Sequence, residues 1–409
     1  MEGVLTMPSL LILTVGTGTT GQHSNLAQGL VNTLRQLRPR LFWLVPSTSP
    51  DSTTLAEIVR DGAPAGCTFQ PWTPMQPFPQ LEQHDDLFAC RIALREVIHA
   101  ARQQLRHGER LIVNPTSGTK QMSAAATLAA LDEEIGEIVF TVGERADGVV
   151  KTGTERMASF STGVFFAERA LREAGRLFEA GAFDGAARLL EPYRSSPETV
   201  QAHDVARCLH HWQRLDFKEA RRVAAGSTAP RLVAVRSRLD ALARSSELSL
   251  SVLAELLHSA AELRRWGAHE DSLARCYRAL ELAAKVRLAQ AHDIQPPYAL
   301  ETLGAAAPSL EKKLRALARD GQCTLGLLRS FEVLDALGDA LAGDYFNHRR
   351  LRDLLSLRNE TIAGHGTENV SPAQAEETSR HLDALLAHHF SDLSAERRLA
   401  ATRPSRLCP

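Results

Sequence analysis

The hydrophobic period of this chain changes near residue 164, and that change limits the folds open to it. Before it, short apolar runs alternate with amphipathic stretches. Residues 9–15 (SLLILTV) are apolar without alternation and end at a glycine, the pattern of a strand buried on both faces. A helix is expected over 24–38, a strand over 41–45 stopped by Pro46, and a helix over 53–60. The proline-rich stretch 61–80 reads as an irregular excursion. A long amphipathic helix over 85–106, a strand over 110–113, a helix over 123–131 and a strand over 137–142 follow. Residues 143–153 read as a hairpin tip, with a strand over 149–152. This alternation predicts an α/β domain, a Rossmann-like doubly wound parallel sheet. Ligands of such sheets bind beyond the carboxyl ends of the strands.

After residue 164 strand signals stop, and an all-α C-terminal region is expected to about residue 390, with breaks near 226–230, 296–297 and 343–344. The stretch 177–190 (LFEAGAFDGAARLL) resembles a single tetratricopeptide-like hairpin broken at Gly181, with no second copy legible. The expected division is a Rossmann-like domain at 1–163, a helical linker region at 164–244, an all-α domain at 245–395, and a tail at 396–409 that frays.

A formal charge of −1 excludes a global field drawing the protein onto nucleic acid, so such contacts need a local patch or a small deep site. The six cysteines are scattered without a CxxC pair, which excludes a disulfide framework or a cysteine zinc site. Residues 10–15 are too short to span a membrane, and the first ten residues carry no Lys or Arg. A soluble, cytoplasmic protein with no membrane partner is expected.

Two loops carry ligand chemistry. The first, GTGTTG at 16–21, satisfies G-x-G-x-x-G between a strand and a helix, a dinucleotide signature. The acidic residue that should close the second strand is replaced by PSTSP, and Asp51 arrives late. Thr17, Thr19 and Thr20 add hydroxyl groups that a dinucleotide turn does not need. A tight turn without ligand is the plain alternative. The second loop, NPTSGTKQM at 114–122, ends a strand and opens a helix with hydroxyl groups, Gly118 and Lys120. Helix N-termini attract phosphate through free N–H groups and the macrodipole. Helix capping by Thr116 or Ser117 is the plain alternative here.

Together the two loops resemble those of the CRISPR-associated Rossmann-fold (CARF) sensor domain, over about residues 8–160. That resemblance implies a cyclic-oligoadenylate ligand bound by a homodimer across its two-fold axis. It places Gly16, Thr17, Gly18, Thr19, Ser117, Gly118, Thr119 and Lys120 at the ligand, with Asn114 at the strand end beside them.

The segment LLSLRNETIAGHG at 354–366 resembles the R-x(4–6)-H motif of HEPN-type ribonucleases. Six residues separate Arg358 from His365, and polar Asn359 follows the arginine. The resemblance covers about residues 245–395; RCYRALELAAKVRL at 275–288 also resembles a helix of proteins that join this sensor to a helical effector. It implies Arg358, Asn359 and His365 as catalytic residues. The chemistry suits RNA: the 2′-OH attacks the adjacent phosphorus, a histidine moves the protons, and an arginine stabilises the phosphorane. The plain alternative is an Arg/His pair on one helix face.

His210-His211 and His388-His389 read as helix-surface pairs, since neither has Cys, Asp or Glu at ligand spacing. No metal site is expected. His348, Arg349, Arg350 and Arg352 form either a basic patch that guides RNA or a solvated face. Glu144, Arg145 and Asp147 form a hairpin tip or a lid.

The expected activity is therefore a cyclic-oligoadenylate-activated, metal-independent endoribonuclease for single-stranded RNA in type III CRISPR defence, with no cofactor beyond its activator. The alternatives are a sensor or scaffold with an inactive helical domain, and an NAD-type enzyme.

Overall fold

The structure, a computed structural model, describes residues 9–17, 23–146, 149–150, 153–362 and 364–407. The chain divides into two compact units, residues 1–168 and 169–409.

In the first unit the order is β1 (Ser9–Val15), α1 (His23–Leu37), β2 (Leu41–Pro46), α2 (Pro50–Asp61), β3 (Thr68–Phe69), α3 (Leu87–Arg102), β4 (Arg110–Asn114), α4 (Lys120–Asp132) and β5 (Glu137–Val142). A short hairpin of β6 (Arg145–Ala146) and β7 (Val149–Val150) then leads to β8 (Arg156–Ser161). The six-stranded sheet has the order β3-β2-β1-β4-β5-β8. β1 is wholly buried because its alternate residues feed two cores. Leu10 and Ile12 pack with α3 and α4, and Leu11, Leu13 and Val15 pack with α1 and α2.

Five strands are parallel, and the sixth departs from the expected all-parallel sheet. β8 runs antiparallel to β5, pairing Ile138 with Phe160. The reason is the connection: β5 returns through a hairpin, and a parallel partner needs a crossover of a dozen or more residues. β3 lies inside the proline-rich excursion, as a two-residue edge strand beside β2.

The second unit is helical. It comprises α5 (Gly163–Glu179, which begins in the first unit), α6 (Phe183–Leu190), α7 (Pro197–Gln213), α8 (Phe217–Gly226) and α9 (Pro230–Arg244). There follow α10 (Leu250–Arg265), α11 (His269–His292), α12 (Leu300–Ala306), α13 (Glu311–Leu317), α14 (Leu327–Ala336), α15 (Ala340–Asn347), α16 (Arg349–Glu360), α17 (Pro372–His389) and α18 (Leu393–Ala400). One core is built on 170–242, and a second on 253–400 around α11.

The α5–α6 hairpin does have further copies of its turn. Gly181 takes φ +76°, and the amide of Ala182 donates to the Leu177 carbonyl at 2.8 Å, a Schellman closure. The α7–α8 turn repeats it with Leu215 at φ +62° and Asp216 N–H on His211 O at 3.0 Å. The α10–α11 turn repeats it with Gly267 at φ +80° and Ala268 N–H on Leu263 O at 2.9 Å. The second copy is hidden in the sequence because leucine stands where the others carry glycine.

The tail expected to fray is instead pinned. Arg403 donates to the Glu255 carboxylate at 2.6 and 2.9 Å, and its guanidinium lies over the Trp212 ring at 5.1 Å. Glu255 is fully buried; it also accepts from Trp212 Nε1 at 2.9 Å and from Arg238 at 3.0 Å. Leu407 packs into the core of α5–α9. One carboxylate thus ties α7, α9, α10 and the tail. Removing one partner of a buried ion pair strands the other in the interior, at a cost of about 3–5 kcal/mol. Glu255→Ala is expected to lower the unfolding free energy of the full chain by that amount in urea titrations. A loss below ~1 kcal/mol would show that the packed cores hold the tail without it.

Candidate functional site

The sensor-like unit places the two loops side by side. β1 pairs with β2 on one flank and with β4 on the other, the point where an open α/β sheet reverses direction and leaves a crevice. The register Leu13↔Asn114 brings residues 16 and 117 together across 101 positions of sequence. Gly16 N–H donates to Ser117 Oγ at 3.0 Å. A Cβ on Gly16 would stand 2.6 Å from Gly118 Cα, so the two backbones touch and glycine is obligatory there. Gly118 itself has φ +129°, a backbone that L residues rarely adopt.

The candidate side chains divide by how they are used. Asn114 is buried; its Nδ2 donates to Thr141 Oγ1 at 3.0 Å, and its Oδ1 accepts Thr116 N–H at 3.0 Å. Thr119 caps α4, accepting Met122 N–H at 3.1 Å and donating to His84 O at 2.9 Å. Both are bound up in holding the loop. Gly118 and Lys120 are exposed, at the turn that opens α4. Thr17 is half-buried. Gly18 and Thr19 lie outside the described residues, as do Thr20 and Gly21, and of Arg145 and Asp147 no side chain is described.

In the helical unit, Arg358 sits in the last turn of α16 and His365 lies beyond it. The pair is therefore not on one helix face. Thr361 Oγ1 donates to Arg358 O at 2.8 Å, and the chain then doubles back over the helix end. Gly364 and Gly366 N–H donate to Thr361 O at 2.9 and 3.1 Å, and His365 N–H donates to Asn359 O at 3.0 Å. A Cβ on Gly364 would collide with Arg358 O, and one on Gly366 with Glu360 O. Glycines at 364 and 366 let the loop lie directly on the helix end, which brings the His365 backbone onto Asn359. His365 and Asn359 are exposed, and Arg358 is half-buried.

The Arg358 guanidinium stands over the Tyr277 ring of α11, 5.2 Å from its centroid, with a 3.4 Å hydrogen bond to Asn359 Oδ1. Tyr277 lies within the 275–288 helix but carried no sequence signal of its own: its role depends on α11 packing against α16.

Residues 243–389 match the protein family described as the Csm6 HEPN domain, a span that includes Arg358, Asn359, His365 and Tyr277. That match shows a Csm6-type HEPN domain within the helical unit. The whole chain is similar in fold to Enterococcus italicus Csm6 bound to cyclic hexa-2′-fluoro-hexa-dAMP, with a TM-score of 0.62 at 11% identity. The likeness covers 96% of this chain and 98% of that one. No curated protein sequence matches it.

Two readings of the HEPN region change. Of the basic stretch before the motif, Arg349 and Arg352 stay exposed, while Arg350 is spent on another helix, in a two-pronged pair with Glu377 of α17 at 2.6 and 2.9 Å. That guanidinium pulls the Glu377 carboxyl down to about 2. His348 Nδ1 caps α16 through Leu351 N–H at 3.3 Å. The second change concerns His388 and His389, which do have a carboxylate nearby. Asp344 Oδ2 lies 2.8 Å from His389 Nε2, brought from 45 residues upstream. His210-His211 remains a helix pair, with His211 Nδ1 at 3.2 Å from Asp216. Among the described cysteines all thiols are free, and burial pushes Cys208 and Cys276 up to about 12. Among the described residues no helix is long and apolar enough to cross a membrane.

Gly364→Ala is expected to open the motif loop without unfolding the domain. In hydrogen–deuterium exchange the amides of residues 364–368 should lose protection while α11 and α17 keep theirs. Unchanged protection at 364–368 would mean that glycine is not required for the loop.

Proposed function

We propose that this chain is a cyclic-oligoadenylate-activated endoribonuclease that cuts single-stranded RNA without metal. The observation that carries the reading is the Arg358–His365 loop inside the span matched to the Csm6 HEPN domain. Arg358 stabilises charge on the phosphorane, and its contact with Tyr277 orients it. His365 moves the protons of 2′-OH attack and leaving-group departure. Asn359 anchors the loop through its carbonyl and keeps its exposed amide for substrate. The products are 2′,3′-cyclic phosphate and 5′-hydroxyl ends. One arginine and one histidine make a thin site, and a two-fold homodimer doubles it.

The activator lies at the crevice between β1 and β4. Gly16 and Thr17 stand on one side and Ser117, Gly118 and Lys120 on the other, with the α4 N-terminus favouring phosphate; Gly18 and Thr19, outside the described residues, are assigned to the ligand by the family resemblance alone. Asn114 and Thr119 hold the floor and the helix cap beneath the ligand. The hexameric ligand of the Enterococcus italicus protein makes cyclic hexa-adenylate the first activator to test, beside the tetramer.

Purified full-length protein should cut single-stranded RNA only when a cyclic oligoadenylate is added, and equally fast in EDTA. His365→Ala and Arg358→Ala should each lower the stimulated rate by at least ~100-fold, the low end for a group acting on proton transfer or developing charge. Tyr277→Leu should lower it by about tenfold or less, since an exposed cation–π contact contributes about 1 kcal/mol. Undiminished cutting by His365→Ala would end this assignment. In the sensor, Lys120→Ala should raise the activator concentration for half-maximal cutting by about tenfold, the worth of one charge-assisted phosphate contact. The maximal rate should stay unchanged.

A further inference from the structure

Asp344, His388 and His389 are not explained by the ribonuclease reading. Their ligand atoms, one from each side chain, all lie within 4.8 Å of one another. Asp344 belongs to α15, and the two histidines belong to the last turn of α17. Consecutive residues of a helix diverge by about 100°, yet these two imidazole rings converge, with centroids 4.8 Å apart and planes at 88°. The His389 side chain is 6% exposed and its Nε2 is fixed on Asp344 Oδ2 at 2.8 Å, while His388 and Asp344 face solvent.

We propose that these three side chains form a binding site for a divalent transition ion of the zinc class. Two imidazole nitrogens and one carboxylate oxygen are the donor set of zinc sites with three protein ligands, the fourth position being held by water. Tetrahedral zinc with bonds of about 2.0–2.1 Å sets its ligand atoms about 3.4 Å apart. The His389–Asp344 pair is already closer than that, and the exposed His388 ring needs only a side-chain rotation. The position favours a cation, because the unsatisfied carbonyls at the end of α17 carry the negative pole of the helix. An ion here replaces the proton shared by His389 and Asp344.

The ion is a clamp and takes no part in cutting RNA. α16 and α17 run antiparallel, since Arg350 meets Glu377 and His348 meets His381. The motif loop lies where α16 ends and α17 is about to begin. The histidines lie at the far end of α17, whose 18 residues span about 27 Å. Zinc would join α15 to α17 at the base of that hairpin and leave the Arg358 end untouched.

The experiment is calorimetric titration of zinc alone into EDTA-stripped, dialysed full-length protein, with a thermal melt on each sample. The wild type should bind one zinc per chain and melt several degrees higher with zinc than without. His388→Ala and Asp344→Asn, both at exposed positions that leave the cores intact, should each weaken binding at least about tenfold and abolish the shift in melting. Ligand-stimulated RNA cleavage by both variants should match the wild type, so this site and the ribonuclease assignment fail separately. No zinc binding by the wild type would overturn the proposal. So would equal binding and equal melting shifts in wild type and both variants, which would put the ion elsewhere.

Discussion

The helical unit is organised by one carboxylate that has no access to water. A buried Glu255 is tolerable only if its charge is met on every side, and it is met by two arginines and an indole N–H. Those partners come from α7, α9 and the segment after α18, far apart in sequence. Satisfying a single side chain therefore fixes how the α5–α9 layer sits on the HEPN helices. It also recruits the C-terminal tail: Glu396 and Glu262 extend the network to Arg238 and Arg403. The HEPN helices inherit a rigid back, against which α11 can present Tyr277 to Arg358.

A comparable constraint sets the sensor-like unit, but there it is steric. Parallel pairing of β1 with β4 leaves so little room that Gly16 and Gly118 meet backbone to backbone. A side chain at Gly16 would push the loops apart, and one at Gly118 would run into Met122 of α4. Ser117 then spends its hydroxyl on Gly16 N–H, and Asn114 spends its amide beneath the floor. Among the described residues of the two loops, backbone, small residues and Lys120 remain outward. Such a surface suits a phosphate-rich ligand that must approach closely.

Much of this was legible in the sequence because it rests on local pattern. β1 and β5 were readable to the residue from unbroken apolar runs, and both loops were readable from glycine and hydroxyl placement. What was hidden depends on partners distant in sequence. The direction of β8 follows from a hairpin rather than from its own residues. The repeated turn is masked by Leu215, and the fixed tail depends on a glutamate 148 residues upstream. The His365 loop is the instructive case. Spacing left an arginine–histidine pair on one helix face open as the plain alternative, and it is closed by Thr361, which ends the helix, and by Gly364 and Gly366, which allow the chain to fold back.

The way that loop is held bears on regulation. Its anchors are the hydrogen bonds of Thr361, Gly364, His365, Gly366 and Glu368 to the end of α16, and few of its side chains are buried. Ile362 in its middle is 81% exposed. Each such bond contributes about 1 kcal/mol net, so rearranging the loop costs a few kcal/mol. Allosteric coupling free energies are typically about 1–3 kcal/mol, the same scale. Opening the HEPN core around α11 would cost far more, since its side chains are almost all fully buried. The fold thus places His365, the histidine proposed to move the protons, on a weakly held element that a coupling free energy of that size could reset. Arg358 stands on α16, which Leu351, Leu354 and Leu355 fix in the interior.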